Sequence, residues 1–164
     1  MQVLEKLVSK LELNRSLQKD IVVPAKRLHM TDTGIIQVEH AEFIDAFKPN
    51  QLFQSQMTSK LGIPSQYFQK MQEQRPELLA QNVNGWLDHN KNKSYLVRTF
   101  AGIADELGIG RAFLSDRYHI IDNYDVLIAS LEAIKQTGVS VEITKAEVTD
   151  NRMYLHVVCN YLLS

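Results

Sequence analysis

Cysteine is almost absent from this sequence. Cys159 is the only cysteine in 164 residues, which excludes an intramolecular disulfide and every zinc site that needs paired cysteines. Sparse cysteine is typical of proteins in reducing compartments, so the sequence predicts a cytoplasmic location.

Long apolar runs are absent as well. Nowhere does the sequence contain about 18 consecutive apolar residues, the length that a membrane-spanning helix requires. The N-terminal stretch MQVLEKLVSKLELNRSLQKD is amphipathic and charged, and it lacks the apolar centre of a signal peptide. The sequence therefore predicts neither secretion nor a membrane partner.

Net charge is also nearly zero. The 18 Lys and Arg residues are balanced by 19 Asp and Glu residues, which leaves a formal charge of -1. Because there is no overall attraction to nucleic acid, any basic surface must be local.

The composition is that of an ordinary globular protein, with 45% apolar and 23% charged residues. We predict a single α+β domain over residues 1–164. An alternative division places a helix, a hairpin and a helical region in 1–92, and a β-β-α-β-β region in 93–164.

The beginning of the chain predicts a helix followed by a β-hairpin. Residues 3–18 carry leucine and valine at helical spacing. Residues 20–30 and 34–39 are typical of two strands joined by a turn at 31–34. Pro24 restricts the first strand to an edge or an early position in a sheet.

Residues 41–92 predict a helical segment. Gln, Leu, Phe and Met recur at helical periods, and the pattern is broken at Pro49, at 62–64 and at 75–76. Two to four short helices are expected.

The last part of the chain predicts four strands and one helix, in the order β-β-α-β-β. Their ranges are 94–102, 110–118, 124–137, 139–144 and 152–159. This order favours a mainly antiparallel sheet with the helix on one face, the α+β class. We expect the four strands to form one layer.

The run QLFQSQMTSKLGIPSQYFQKM predicts two helices joined at Gly62. The second helix would present Ser65, Gln66, Gln69 and Lys70 to solvent. Gln side chains can hydrogen-bond adenine, but Lys60 and Lys70 are the only cations nearby, so a structural helical hairpin is favoured over a DNA-reading motif.

The stretch GRAFLSDRYHIIDNYDVL, at 110–127, is rich in charge. Asp122 or Asn123 stands where a helix N-cap is needed, and Asp125 complements the helix dipole. The competing interpretation is a carboxylate metal site formed by Asp116, Asp122 and Asp125. Capping is favoured, and we assign no metal ligand, cofactor or catalytic residue.

Three arginines, Arg98, Arg111 and Arg117, lie on neighbouring predicted strands. They can pair with Asp116 and Glu142 or clamp an external anion, and internal pairing is favoured because unpaired arginines near a core are costly. Arg98 and Arg117 are retained as candidate nucleic-acid contacts.

The last strand predicts a polar and aromatic face. Arg152, Tyr154 and His156 alternate along it, opposite Thr144. Rings that stack on bases and cations that meet phosphates bind single-stranded nucleic acid. The alternatives are a face covered by residues 41–92 or an ordinary solvated sheet.

Two further residue patterns are interpreted as structural. Trp86 is expected to anchor its helix in the core rather than to stack on a base. Glu142 and Lys145 in EITK are three positions apart on a strand, so they are expected on opposite faces.

Several motifs resemble a family of phage, prophage and plasmid proteins designated domain of unknown function 932. The resemblance rests on LGIPSQYFQKM, on Leu-Leu-Ala-x-Asn-x-Asn-x-Trp-Leu at 78–87, on YLVRTF and above all on RAFLSDRYHIIDN. It covers most of the chain from about residue 30. Members of that family are longer, which implies a shortened member or the N-terminal part of one. The resemblance implies a mobile-element setting and no catalytic residues.

Three hypotheses for the function follow. The first is a non-enzymatic protein of a mobile element that binds nucleic acid, in particular single strands, in replication or recombination. The second is a protein-interaction or self-association module. The third is a metal-dependent hydrolase, which requires Asp116, Arg117, His119 and Asp122 to converge in a cleft.

Overall fold

The computed structural model describes residues 2–119, 121–149 and 152–159. Its helices are α1 (Gln2–Leu17), α2 (Gln51–Leu61), α3 (Ser65–Gln74), α4 (Pro76–His89) and α5 (Asn123–Gln136). Its strands are β1 (Gln18–Pro24), β2 (Leu28–Met30), β3 (Ile36–Glu39), β4 (Ile44–Pro49), β5 (Ser94–Phe100), β6 (Gly108–Ser115), β7 (Val141–Val148) and β8 (Met153–Cys159). The predicted α+β class, with an N-terminal helix and mainly antiparallel sheets, is confirmed.

The chain divides into two compact units. Leu17–Tyr118 form the sheet unit, and Met1–Ser16 together with His119–Ser164 form the hairpin unit.

The sheet unit is built on six strands in the order β1-β5-β6-β4-β3-β2. Every neighbouring pair is antiparallel except β4 and β6, which run parallel. Helices α2 and α4 pack on one face of this sheet, and α3 packs against these two helices. The side chains that are almost completely buried there are Met30, Ile36, Val38, Phe47, Phe53, Met57, Met71, Leu79, Val83, Val97 and Phe113.

Local chemistry explains the edges and turns of this sheet. β1 lies at an edge and ends at Pro24, which lacks the N–H that a central strand would need. The predicted hairpin turn at 31–34 is confirmed: Gly34 has a φ of +79°, and the Thr31 N–H donates to the Ile35 carbonyl at 2.8 Å. The predicted first strand, 20–30, is wrong as a single strand, because only β2 pairs with β3, whereas β1 pairs with β5.

The prediction that 41–92 is helical is confirmed from Gln51 onward and is wrong for residues 44–49, which form β4. Residues 44–49 form a strand because they pair with β3 on one side and with β6 on the other. Phe47 lies opposite Ile36 on β3 and opposite Gly108 on β6, and its side chain is 2% exposed. The distant partner on β6 cannot be read from local periodicity.

The helix boundaries follow the predicted breaks. The Asn50 side chain caps α2 by accepting from the Phe53 N–H at 2.9 Å. Gly62 closes α2 in the left-handed conformation with a φ of 70°, as a turn glycine should. Asn84 on α4 hydrogen-bonds both backbone groups of Met30, at 2.7 and 2.9 Å, and so ties α4 to β2.

The hairpin unit packs α1 and α5 against the inner face of β7 and β8. Its most buried residues are Leu7, Leu11, Leu127 and Val148. The predicted cap of α5 is confirmed, because the Asp122 carboxylate accepts from the Tyr124 N–H at 3.2 Å. Lys10 also donates to the Val148 carbonyl at 3.0 Å.

The expected single layer of the last four strands is wrong, although their order along the chain is right. β5 and β6 join the six-stranded sheet, whereas β7 and β8 pair with each other in a sheet of two. The apolar side chains explain the separation. Val97 on β5 and Phe113 on β6 belong to the core that α2, α3 and α4 cover. The apolar face of α5 packs instead with that of α1 and with β7 and β8.

Candidate nucleic-acid interface

The predicted face on the last strand is open to solvent. Arg152, Tyr154 and His156 are all exposed. Across the ladder, Tyr154 lies opposite Glu147 and His156 opposite Lys145. The Lys145 ammonium lies 5.7 Å from the centre of the Tyr154 ring, within cation–π range.

The expectation that Glu142 and Lys145 point to opposite faces is wrong. The register of β7 shifts between Ile143 and Lys145, and a bulge of this kind adds one residue and reverses the alternation. Glu142, Lys145 and Glu147 are all exposed. We name the set Glu142, Lys145, Glu147, Arg152, Tyr154 and His156 the hairpin face.

Carboxylates offset the cations on the hairpin face. Lys145 is ion-paired with Glu147 at 3.3 Å. With Glu142 present as well, two carboxylates stand against Lys145 and Arg152. A phosphate approaching Tyr154 therefore meets no net positive potential.

Arg98 makes an internal ion pair, as favoured, but with a partner that was not predicted. Its guanidinium donates to both oxygens of Asp20, at 2.7 and 2.9 Å. Both side chains are largely buried, at 19% and 16% exposure. Asp20 lies directly opposite Arg98 on β1, so an external phosphate would have to break a desolvated, bidentate pair.

Arg111 and Arg117 differ in their surroundings. The guanidinium of Arg111 lies 5.6 Å from the centre of the Phe100 ring. Arg117 is exposed in the turn after β6, where it is accessible as a candidate contact.

The aspartates of the charged stretch have separate positions. Asp122 caps α5, and Asp125 lies 3.7 Å from Arg15. Asp116 is exposed after β6. Within residues 2–119, 121–149 and 152–159, no three His, Cys, Asp or Glu side chains are grouped so that they could hold a metal ion.

The helical hairpin has the predicted geometry and few cations. Ser65, Gln66, Gln69 and Lys70 are exposed on α3. Lys60 and Lys70 are the only basic residues in 51–74. A major-groove reader relies on several phosphate contacts for its register, and α2 and α3 supply few.

The expectation that Trp86 anchors α4 in the core is wrong. Its side chain is 45% exposed, whereas its helix neighbours Val83 and Leu87 are 0% and 2% exposed. The ring meets His89 edge to face, with centroids 5.6 Å apart. Trp86 is therefore an exposed aromatic at the end of α4.

Four exposed cations lie in two turns near the C-terminal end of α4, and we name them the basic patch. Two of them lie in the 3-10 turn after β1, and two lie in the turn between α4 and β5. They are Lys26, Arg27, Lys91 and Lys93.

Backbone hydrogen bonds hold the two segments of the basic patch together. The Ala25 N–H donates to the Lys93 carbonyl at 2.9 Å, and the Lys93 N–H donates to the Asn90 carbonyl at 2.8 Å. The Asn90 N–H donates in turn to the Trp86 carbonyl at 3.0 Å. These bonds connect the Trp86 end of α4 to the 3-10 turn.

None of the four patch cations forms an ion pair within the described part of the chain. Asp88 is the only acidic residue in 24–28 and 86–94, the segments that carry the patch. The dipole of α4 favours cations beyond its C-terminus by about 0.3–1 kcal/mol each. That effect accounts for Lys91 and Lys93, in the turn that follows α4, but not for Lys26 and Arg27, which belong to the 3-10 turn after β1.

A cavity of about 330 Å³ adjoins the patch on the sheet unit. Lys26 and Arg27 line it together with His29, Gln37 and Glu39. These polar side chains offer both donors and acceptors beside the two cations.

The basic patch was missed because its two halves are far apart in the sequence. AKR at 25–27 and KNK at 91–93 are each short and basic. Only the pairing of β1 with β5, in which Pro24 lies opposite Ser94, brings them together. The one signal in the sequence was the high density of Lys and Arg in each of these two short segments.

Comparisons with family models, curated proteins and solved structures gave no match to this chain. The resemblance to domain of unknown function 932 therefore stays a prediction. No helix in the described ranges is long and apolar enough to cross a membrane.

Proposed function

We propose that this protein binds nucleic acid through the phosphate backbone, with the basic patch as the contact surface. The observation that carries the proposal is the grouping of Lys26, Arg27, Lys91 and Lys93, exposed and without ion-pair partners in the described chain. Lys and Arg side chains of this kind provide most of the affinity for nucleic acid, independent of sequence.

The size of the patch sets the salt dependence. Four phosphate contacts predict a slope of the logarithm of affinity against the logarithm of salt of about -2.8 for single strands. Because the whole chain carries a formal charge of -1, no long-range attraction adds to this local one.

The test is fluorescence anisotropy with labelled oligonucleotides between about 50 and 200 mM salt. Lys91→Ala with Lys93→Ala should weaken binding and reduce the slope by about 1.4, since two contacts are lost. The matched control, Lys60→Ala with Lys70→Ala, removes the same charge from α2 and α3 and should change little. Absence of binding at low salt, or equal losses in both double variants, contradicts the proposal.

The cellular role that we propose is replication or recombination of a mobile element, in the cytoplasm. The mobile-element role is supported by the resemblance of RAFLSDRYHIIDN and the neighbouring motifs to domain of unknown function 932. The cytoplasmic location is supported by the single cysteine. Genes for replication or recombination proteins beside the coding gene would support this role, and capsid or tail genes would argue for the second hypothesis.

The second candidate function is self-association or protein binding through the two-stranded sheet. In the described chain β7 and β8 pair only with each other, so each has an outer edge with no ladder partner. Exposed strand edges are templates for pairing with another chain. Light scattering would reveal a complex, and a complex that survives nuclease treatment favours this candidate.

A further inference from the structure

We infer that Trp86 is a base-stacking platform that makes the basic patch selective for single strands. This inference rests on the proposed function and names the class of nucleic acid that the same site takes. It depends on three features: the exposure of the ring, the contacts that hold it, and the position of the cations.

The exposure of Trp86 has no explanation in the packing of α4. Val83 and Leu87, its neighbours on the buried side of α4, are 0% and 2% exposed. A large indole left 45% in water forgoes a burial that most tryptophans make. Exposed aromatics of this kind are characteristic of binding surfaces.

The ring is held in a defined place. The edge-to-face contact with His89, at 5.6 Å between centroids, supports it from the last turn of α4. Asn90 closes that turn twice, with its N–H and its side-chain amide both donating to the Trp86 carbonyl at 3.0 Å. The hydrogen bonds fix the backbone at Trp86 and the His89 contact supports the ring, which lowers the entropy lost when a base stacks on it.

Along the chain, the cations begin five residues after Trp86, at Lys91. Lys91 follows the residue that closes α4, and its N–H donates to the Asp88 carbonyl at 3.1 Å. A strand with one base on Trp86 can therefore place its next phosphates at Lys91 and Lys93 and continue toward Lys26 and Arg27. Aromatic platforms beside a cationic track are the general solution for single-strand binding.

Duplexes should not use this platform. The bases of a duplex are already stacked on one another. The Trp86 ring can therefore reach only the backbone and the groove edges of a duplex, unless a base is extruded. The cations still contact duplex phosphates, so single and double strands should differ in the contribution of Trp86 and not in that of the lysines.

The experiment uses the tryptophan itself as the probe. Trp86 is the only tryptophan in the chain, so tryptophan fluorescence, excited selectively over the six tyrosines, reports this site alone. Titration with an oligothymidine of about 12 nucleotides, or with oligouridine of the same length, should quench the fluorescence at low salt. A duplex of equal length should bind with much less quenching.

Affinity variants provide the second measurement. Trp86→Ala should weaken single-strand binding about ten-fold or more by anisotropy and leave duplex binding unchanged, and Trp86→Phe should restore most of the loss. Tyr67→Ala is the matched control, since Tyr67 is an equally exposed aromatic of the same unit, at 44%, and it should change neither. Circular dichroism should show that all three variants fold.

The two proposals fail in different ways. If the lysine variants lose binding but Trp86→Ala binds single strands normally, the backbone proposal stands and the stacking inference is wrong. If single strands bind without quenching, the inference is again wrong. If neither form of nucleic acid binds at low salt, both proposals fail.

Discussion

The hairpin face and the basic patch both place an exposed aromatic side chain beside cations, and they differ in where the carboxylates lie. On the hairpin face, Glu147 pairs with Lys145 at 3.3 Å directly beside Tyr154. On the basic patch, Asp88 is the only acidic residue in the segments that carry the cations, and the one carboxylate in the adjoining cavity, Glu39, is not ion-paired with Lys26 or Arg27 in the described chain. Residue type alone therefore does not define a phosphate site; the local charge balance does.

Charge reversal at the basic patch should have the largest effect. Lys91→Glu with Lys93→Glu removes two attractions and adds two repulsions, so low-salt affinity for single strands should fall at least about 100-fold. Arg152→Glu with Lys145→Glu on the hairpin face is the matched reversal, and it should cost far less. Anisotropy at one fixed low salt concentration measures both, and comparable losses would remove the distinction between the two surfaces.

The next largest effect concerns a cation that is already paired. Asp20→Asn removes the carboxylate that accepts two hydrogen bonds from the largely buried Arg98, and the unfolding free energy should fall by about 2 kcal/mol. Asp45→Asn is the control, because its pair with Lys19, at 3.6 Å, is more exposed and should contribute less than about 0.5 kcal/mol. Denaturant unfolding measures both.

Nucleic-acid affinity sharpens this second test. If Arg98 has a structural role, Asp20→Asn should leave binding unchanged at a temperature where the variant is folded. Tighter binding after the carboxylate is removed would instead return Arg98 to the nucleic-acid contacts proposed from the sequence.

Much of the fold could be predicted because its signals are local. Pro24, Gly34, Gly62 and Asp122 each mark a boundary through backbone chemistry that needs no distant partner. β4 and the six-stranded sheet required pairing information from β6 and β1, which periodicity does not contain.

The candidate site could be predicted only in part for the same reason. The alternation of Arg152, Tyr154 and His156 was visible in the sequence, but the bulge that brings Glu142 and Lys145 to the same face was not. Trp86 was assigned to the core by residue type, whereas Val83 and Leu87 occupy it. Helical phase alone does not decide which of several apolar residues is buried.

Removing carboxylates from the hairpin face should convert it toward a phosphate site. Glu142→Gln with Glu147→Gln frees Lys145 and leaves Arg152 unopposed, so single-strand affinity should rise about five-fold in the background of Lys91→Ala with Lys93→Ala. Glu12→Gln with Glu132→Gln changes net charge equally on the exposed sides of α1 and α5. An equal gain in this control would mean that net charge, not local balance, decides affinity.

The smallest expected change in stability concerns the buried hydroxyl group of Tyr95. The Tyr95 hydroxyl is buried and makes no hydrogen bond to the residues that the structure describes, and the ring stacks on Phe113 at 4.4 Å. An unsatisfied buried hydroxyl is unfavourable, so Tyr95→Phe should raise the unfolding free energy by about 0.5–1 kcal/mol. Tyr67→Phe, which removes a hydroxyl from an exposed residue, is the control.

Alkaline pH separates this effect from a change in packing. Burial raises the pKa of Tyr95 above its ordinary value, so the unfolded chain loses this proton first as the pH rises. The unfolding free energy of the wild type is therefore unaffected by the ionisation of this group below about pH 10, and it falls as the pH rises from there through the folded-state pKa of Tyr95. The stability advantage of Tyr95→Phe over the wild type should therefore widen above about pH 10. A constant advantage from neutral to alkaline pH would show that the hydroxyl is solvated in the folded protein.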